Sequence, residues 1–305
     1  MTPGVHHALP MAEYLKLPAV SASLISDVIE RCPAAAWFNS WMNPAGVADN
    51  TDLSDRGTIA HSILLEDRLE IVVVIDPLDH PAEKTGSIPD GWTNKSIRAA
   101  RDAAREAGKI PVLKPAMAEI DAMVIAARAF IASLRQTEPA IYAMFQKGGG
   151  HSELTMVWDE DGILCKARPD RIAADHSIIV NYKTTTGSVE PDRWGRTQLL
   201  DYYVGAAWYQ RGMQALNGND PAYLFLCQEQ NAPYLCSLVG ISPEMLEVGH
   251  AKCRAGLKRW KECFARNEWP GYPARACYPE MPIWERARWD ERQLNDPTIA
   301  YASQA

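Results

Sequence analysis

The residues whose types and spacing could do chemistry lie between His151 and Arg196 of this 305-residue chain. Three runs rich in β-formers, Glu153–Trp158, Ile163–Ile172 and Ser177–Lys183, alternate with the turn-rich pieces Asp159-Glu160-Asp161-Gly162 and Ala173–His176. That pattern predicts a β-meander. Residues i and i+2 of a strand share a face, so Asn181 and Lys183 project together from the third run. Asp170 follows Pro169 late in the second run, and Glu153 opens the first. Three oxygen donors and one ammonium thus converge at one end of a small sheet. Oxygen ligands suit a hard cation such as Mg²⁺, and a lysine beside it can orient a water and offset charge developing on a phosphate. The plain alternative is an ordinary Asp/Lys pair on an exposed strand.

The string Arg168-Pro169-Asp170, ten residues, then Asn181-Tyr182-Lys183-Thr184-Thr185 resembles the PD-(D/E)XK nuclease motif. More narrowly it is similar to the RecE (exonuclease VIII) branch, whose pattern runs Glu, then Arg-Pro-Asp, then Asp-x-Lys-Thr-Thr. The resemblance implies a single α/β domain with a central mixed sheet flanked by helices and an N-terminal helical part. It also implies a carboxylate-held Mg²⁺ or Mn²⁺ and phosphodiester cleavage. Glu153, Asp170, Asn181 and Lys183 become the catalytic set, with His61, Glu153, Asp170 and Asn181 around the metal.

Asn181 stands where the branch has a carboxylate. An amide keeps the shape and one oxygen donor but loses a full charge and cannot act as a base. An engineered isosteric change, a natural pseudo-nuclease, and an active variant relying on Glu153, Asp170 and His61 all remain open. A second departure lies in Trp194–Gly212, which predicts one amphipathic helix. The branch has Tyr-x-x-Gln-x-x-x-Tyr there; Tyr202, Tyr203 and Tyr209 persist, but Gly205 occupies the glutamine position, and Gln198 lies about two turns earlier on the helix.

Other elements must position this set. Ser21–Phe38 begins with capping serines, shows Leu24, Ile25, Val28 and Ile29 at helical spacing, and is interrupted at Cys32-Pro33. Asp55–Asp67 predicts a helix with an apolar stripe of Ile59, Ile63 and Leu64, where Gly57 can let the backbone approach a neighbour. A lone helical histidine is more often structural, yet Gly-x-x-x-His-x-x-Leu-Leu-Glu resembles the RecE-like and RecB-like segment whose histidine reaches the metal, which assigns His61; Glu66 stays on the surface. Ile71–Ile75 predicts a strand, and 92–108 and 115–137 predict helices, the second with a Met- and Phe-rich core stripe. Lys109–Lys114 reads as a link between them. Gly148-Gly149-Gly150 reads as a hinge; it lacks the Lys-Ser/Thr of a phosphate-binding loop. Ala222–Gln228 and Tyr234–Val239 complete the sheet, and Pro243–Asn267 is a last long helix. The expected organisation is an N-terminal arm over 1–20, the nuclease-like domain over 21–290 and a tail over 291–305.

A net charge of −7 argues against a chain that binds nucleic acid over its whole surface. From Lys166 to Arg196, however, six basic residues face four acidic ones. Lys166, Arg168, Arg171 and Arg196 are therefore candidate DNA contacts, and Lys95, Arg98, Arg101 and Arg105 form either a basic stripe or a solvated helix face. Seven irregularly spaced cysteines without a CxxC pair read as reduced thiols of a cytoplasmic protein. Cys32, Cys253, Cys263 and Cys277 only loosely resemble the Fe–S ligand sets of some relatives, and such a cluster is not expected. No run of 18 apolar residues occurs, so no membrane partner is expected. The resemblance implies action on double-stranded DNA ends, 5′ to 3′, as a homo-oligomeric ring, with a RecT-like annealing partner in a phage setting. The other class of function is a DNA-end-binding or interaction protein that kept the fold and lost cleavage.

Overall fold

The computed structural model describes residues 1–45, 55–296, 298 and 299. The chain divides after Pro270 into two compact units, where the sequence reading runs the domain on to 290. Among the described residues, ten strands form three sheets in the first unit. They are β1 (Gly4–His6), β2 (Val72–Ile75), β3 (Ile110–Leu113), β4 (Gly150–Ser152), β5 (Thr155–Glu160), β6 (Ile163–Ala167), β7 (Arg171–Ala173), β8 (Ile178–Thr185), β9 (Ala222–Glu229) and β10 (Cys236–Gly240). The central sheet has the order β10-β9-β8-β7-β4 and is mixed: β8 and β9 are parallel, the other pairs antiparallel. This is the flanked mixed sheet the sequence predicts.

Alternation along β8 separates two cores. Ile179 joins Tyr223, Phe225 and Cys227 beneath the helices Leu199–Asn217 and Pro243–Arg266. Val180 and Tyr182 point the other way, towards the helices Asp55–Glu66 and Lys114–Ser133. The parallel pairing of β8 with β9 requires a crossover, which the helices Pro191–Arg196 and Leu199–Asn217 supply. The single helix expected over Trp194–Gly212 is thus two, broken at Thr197, which ends the first helix and donates through Oγ1 to the Arg193 carbonyl at 2.9 Å.

The predicted meander is not one sheet. β5 and β6 pair with each other and with β1, while β7 and β8 belong to the central sheet. The break falls at Arg168-Pro169-Asp170, because Pro169 has no N–H for a ladder. Glu153 likewise sits outside β5, at φ +52° between β4 and β5. The 109–114 link contains β3, which pairs in parallel with β2; its Pro111 hid the strand from pattern reading. Gly150 opens β4 rather than ending a hinge.

Residues 1–20 are integrated into the fold. β1 pairs with β5, and Val20 bridges Cys165. Lys166 is buried, and its Nζ donates to the Tyr14, Leu15 and Leu17 carbonyls at 2.9, 2.9 and 3.0 Å, capping the helix Met11–Lys16. In the second unit, the helix Ile283–Asn295 exposes Ile283, Trp284 and Leu294. Positions 297 and 300–305 of the expected tail lie outside the described residues. No described helix is long and apolar enough to cross a membrane.

Gly57 brings the helix Asp55–Glu66 onto β8: a Cβ there would lie 2.6 Å from Thr184 Oγ1. Alanine in a helix interior ordinarily stabilises relative to glycine by about 0.5–1 kcal/mol, but here overpacking dominates. Gly57→Ala is expected to destabilise by about 1–3 kcal/mol in chemical denaturation. Adding Thr184→Ala, which removes the obstructing hydroxyl, is expected to recover most of that loss; no recovery would show that the contact does not set the helix position.

Candidate metal centre

The site is built where four elements meet. The helix Asp55–Glu66 presents His61, the turn between β4 and β5 presents Glu153, the break between β6 and β7 presents Asp170, and β8 presents Lys183. All four line one cavity of about 590 Å³. His61 Nε2 lies 3.5 Å from Glu153 Oε1 and 3.4 Å from Asp170 Oδ2. One imidazole nitrogen and two carboxylate oxygens thus lie within 4.8 Å of one another. Two hard oxygen donors with one nitrogen fit a divalent ion such as Mg²⁺ or Mn²⁺, with water completing the shell.

Each donor is held by a second interaction. Glu153 adopts a left-handed backbone, an unfavourable conformation for a side-chain-bearing residue. Its N–H donates to the Asp170 carbonyl at 3.2 Å, and its Oε2 accepts from Arg168 Nε at 2.5 Å. Arg168 is itself buried and donates through Nη1 to the Leu9 carbonyl at 2.7 Å. Asp170 Oδ2 accepts from the Tyr182 N–H at 2.8 Å. Lys183 Nζ lies 5.2 Å from the Tyr202 ring centroid, and its charge acts on Asp170.

The electrostatics follow from this packing. Burial and the neighbouring Asp170 charge raise the Glu153 carboxyl, against the pull of His61 and Arg168. Burial would raise Asp170 as well, but the His61 hydrogen bond, Lys183 and the Tyr182 N–H outweigh it and hold the carboxyl low. Burial opposes the imidazolium of His61, yet Asp170 and Glu153 hold its pKa above that of a free imidazole. The cluster is a concentration of negative charge that gathers cations, with a proton on His61 as one of them.

Asn181 is placed differently from its three expected companions. Its Oδ1 accepts from the Asp170 N–H at 3.3 Å, whereas the Tyr209 hydroxyl donates to the Arg168 carbonyl at 3.3 Å. It lines an adjoining cavity rather than the one shared by His61, Glu153 and Asp170. Its evident task is to position Asp170.

Three of the four candidate DNA contacts are withdrawn from that role. Lys166 caps a helix, and burial pushes its ammonium down to about 8, an effect its three carbonyl acceptors oppose. Arg168 holds Glu153. Arg171 donates to the Met144 carbonyl and to Ser152 Oγ. These cations are consumed by acceptors that the chain itself would otherwise bury unpaired. Arg196 is exposed. Along the helix Lys95–Glu106, Lys95, Arg98 and Arg105 are exposed, and Arg101 pairs with Asp102.

Sequence reasoning did not foresee Met11, Tyr14 and Leu15 as part of the cavity wall, since nothing local to them signals a contact some 150 positions away. Gln198, about two turns before the expected glutamine position, accepts from Trp194 Nε1 and donates to Thr185 Oγ1, tying the crossover to the end of β8.

Comparison with known proteins agrees with this architecture. A family model described as "PDDEXK-like domain of unknown function (DUF3799)" matches residues 56–280. No curated protein matches the chain. The crystal structure described as "Putative exonuclease" from Eubacterium rectale has a TM-score of 0.51 at 11% identity, over 92% of this chain and 98% of its own, a likeness of fold. That of SSO0001, 10% identical over 66% of this chain and 85% of its own, gives a TM-score of 0.24, too low for a shared fold. With the family model spanning most of the chain, the protein belongs to the PDDEXK-like domain family DUF3799.

Proposed function

We propose that this chain is a Mg²⁺-dependent DNA exonuclease of RecE type that acts on the ends of double-stranded DNA. The observation that carries the reading is the convergence of His61, Glu153 and Asp170 donor atoms within 4.8 Å, in one cavity with the Lys183 ammonium. The family match and the description of the Eubacterium rectale protein support it. The likeness of Arg168-Pro169-Asp170 and Asn181-Tyr182-Lys183-Thr184-Thr185 to the RecE branch extends the proposal to 5′ to 3′ polarity, a homo-oligomeric ring and a RecT-like annealing partner in a phage or prophage setting.

Hydrolysis of a phosphodiester adds water at phosphorus, breaks one P–O ester bond and leaves a proton to be placed. When bound, a divalent ion would supply Lewis acidity towards the phosphate oxygens and acidify a water. His61, Glu153 and Asp170 would hold it. Lys183 orients the attacking water and stabilises charge building on the phosphate oxygens. Asn181 fixes Asp170 through its backbone N–H. Arg168 opposes protonation of Glu153 and holds its Oε2 by a hydrogen bond. With two carboxylates rather than three, turnover is slower than a fully acidic site would give.

Two measurements test this reading. End-labelled linear duplex with Mg²⁺ should be degraded slowly by the chain as it stands and about tenfold or more faster by Asn181→Asp. Lys183→Ala should lower both rates by about 10²–10³, the range for loss of one group stabilising transition-state charge. If neither form cleaves while both bind duplex ends, the non-catalytic end-binding reading, which the buried amide of Asn181 favours, takes its place.

Mn²⁺ binding should also depend on pH. The metal needs neutral His61, whose proton is held more tightly than by a free imidazole. Affinity measured by calorimetry should therefore fall as pH drops through the raised His61 titration, and His61→Gln should flatten that part of the profile. An unchanged profile in His61→Gln would remove His61 from the ligand set.

A further inference from the structure

On the other side of Lys183 lies a second cavity of about 440 Å³. It opens between the N-terminal helix Ala22–Ser26 and the crossover helix Leu199–Asn217. One wall is Tyr202, packed on the buried pair Phe225 and Tyr223; facing it are Ser21, Ser23 and Ser26, with Asp27. Lys183, Tyr14 and Tyr209 line both this cavity and the metal-site cavity, so the two communicate at the ammonium.

The depth of this second cavity comes from Gly205. A glycine inside a helix costs about 1 kcal/mol relative to alanine, and elsewhere in the same helix that cost has a steric reason: a Cβ at Gly212 would meet Trp158 at 2.9 Å. At Gly205 no such reason exists. A Cβ there would find nothing nearer than the Ala22 methyl at 4.0 Å. Packing does not require the glycine, whereas an occupant of the cavity would.

We propose that this cavity receives the base of the nucleotide whose phosphate lies against Lys183. The Tyr202 ring gives a sequence-tolerant surface for any base. The Ser26 hydroxyl, both donor and acceptor, and the Asp27 carboxylate meet its polar edge, while the Ser21 and Ser23 hydroxyls bond each other. A base enclosed in this way has left its stack, so the preferred substrate is an unpaired or fraying strand end rather than the interior of a duplex. The inference rests on the reading of the neighbouring site as one that handles phosphodiesters.

Calorimetric titration with Mg²⁺ present, using dAMP and 2-deoxyribose 5-phosphate as probes, tests it. The chain should bind dAMP about tenfold or more tightly than the sugar phosphate, as loss of one base–aromatic contact would imply. Gly205→Leu, which fills the cavity, should erase that difference while leaving Mn²⁺ affinity unchanged. If Gly205→Leu fails to fold by circular dichroism, Ala22→Met fills the cavity from the opposite wall. Equal binding of the two probes, binding of neither, or a difference that survives the filling variant overturns the proposal. Base discrimination without DNA cleavage would instead remove the nuclease reading and leave the base pocket standing; cleavage without discrimination does the reverse.

Discussion

Two carboxylates held beside each other out of water are the constraint around which this protein is arranged. Burial raises the cost of ionising both carboxyls, and the Asp170 charge adds to it at Glu153. Without compensation one of them would neutralise. Compensation arrives from three directions: Arg168 on Glu153, the Tyr182 N–H and Lys183 on Asp170, and His61 between the two. Removing one partner from a buried ionic cluster typically costs about 3–5 kcal/mol, so each supporting element is tied to the site by more than its own packing.

That constraint accounts for local features that otherwise look like defects. The left-handed backbone at Glu153 costs on the order of 1–3 kcal/mol, yet it swings the chain from the central sheet into the smaller one and turns the carboxylate towards His61. Pro169 interrupts a strand, and the interruption lets Asp170 use a side-chain oxygen to accept the Tyr182 N–H. Gly57 gives the His61 helix its close approach to β8. Strain and missing ladder bonds are concentrated where geometry must be held against repulsion.

Much of the fold was legible because it follows periodicity: the apolar stripe of Lys114–Ser133, the alternation in β8 and the capping serine of Ala22–Ser26 are local signals. His61, Glu153, Asp170 and Lys183 were legible through motif spacing, and the structure brings their side chains to one cavity. What stayed hidden was long-range. Lys166, Arg168 and Arg171 look like a basic strip in sequence, but each cation satisfies acceptors from distant segments, and burial cannot be read from charge. The split of the expected meander into two sheets depends on β1 pairing with β5, for which Gly4–His6 is too short to announce itself.

The attachment of the first twenty residues has a practical meaning for anyone shortening this chain. Trimming to position 21 would take away the backbone oxygens of Leu9, Tyr14, Leu15 and Leu17. Lys166 would lose its three carbonyl acceptors, and Arg168, which steadies Glu153, would lose the one that fixes its other end. A leader that resembles a disposable appendage is therefore part of the wiring of the metal centre, and the smallest fragment that keeps the centre intact must retain it.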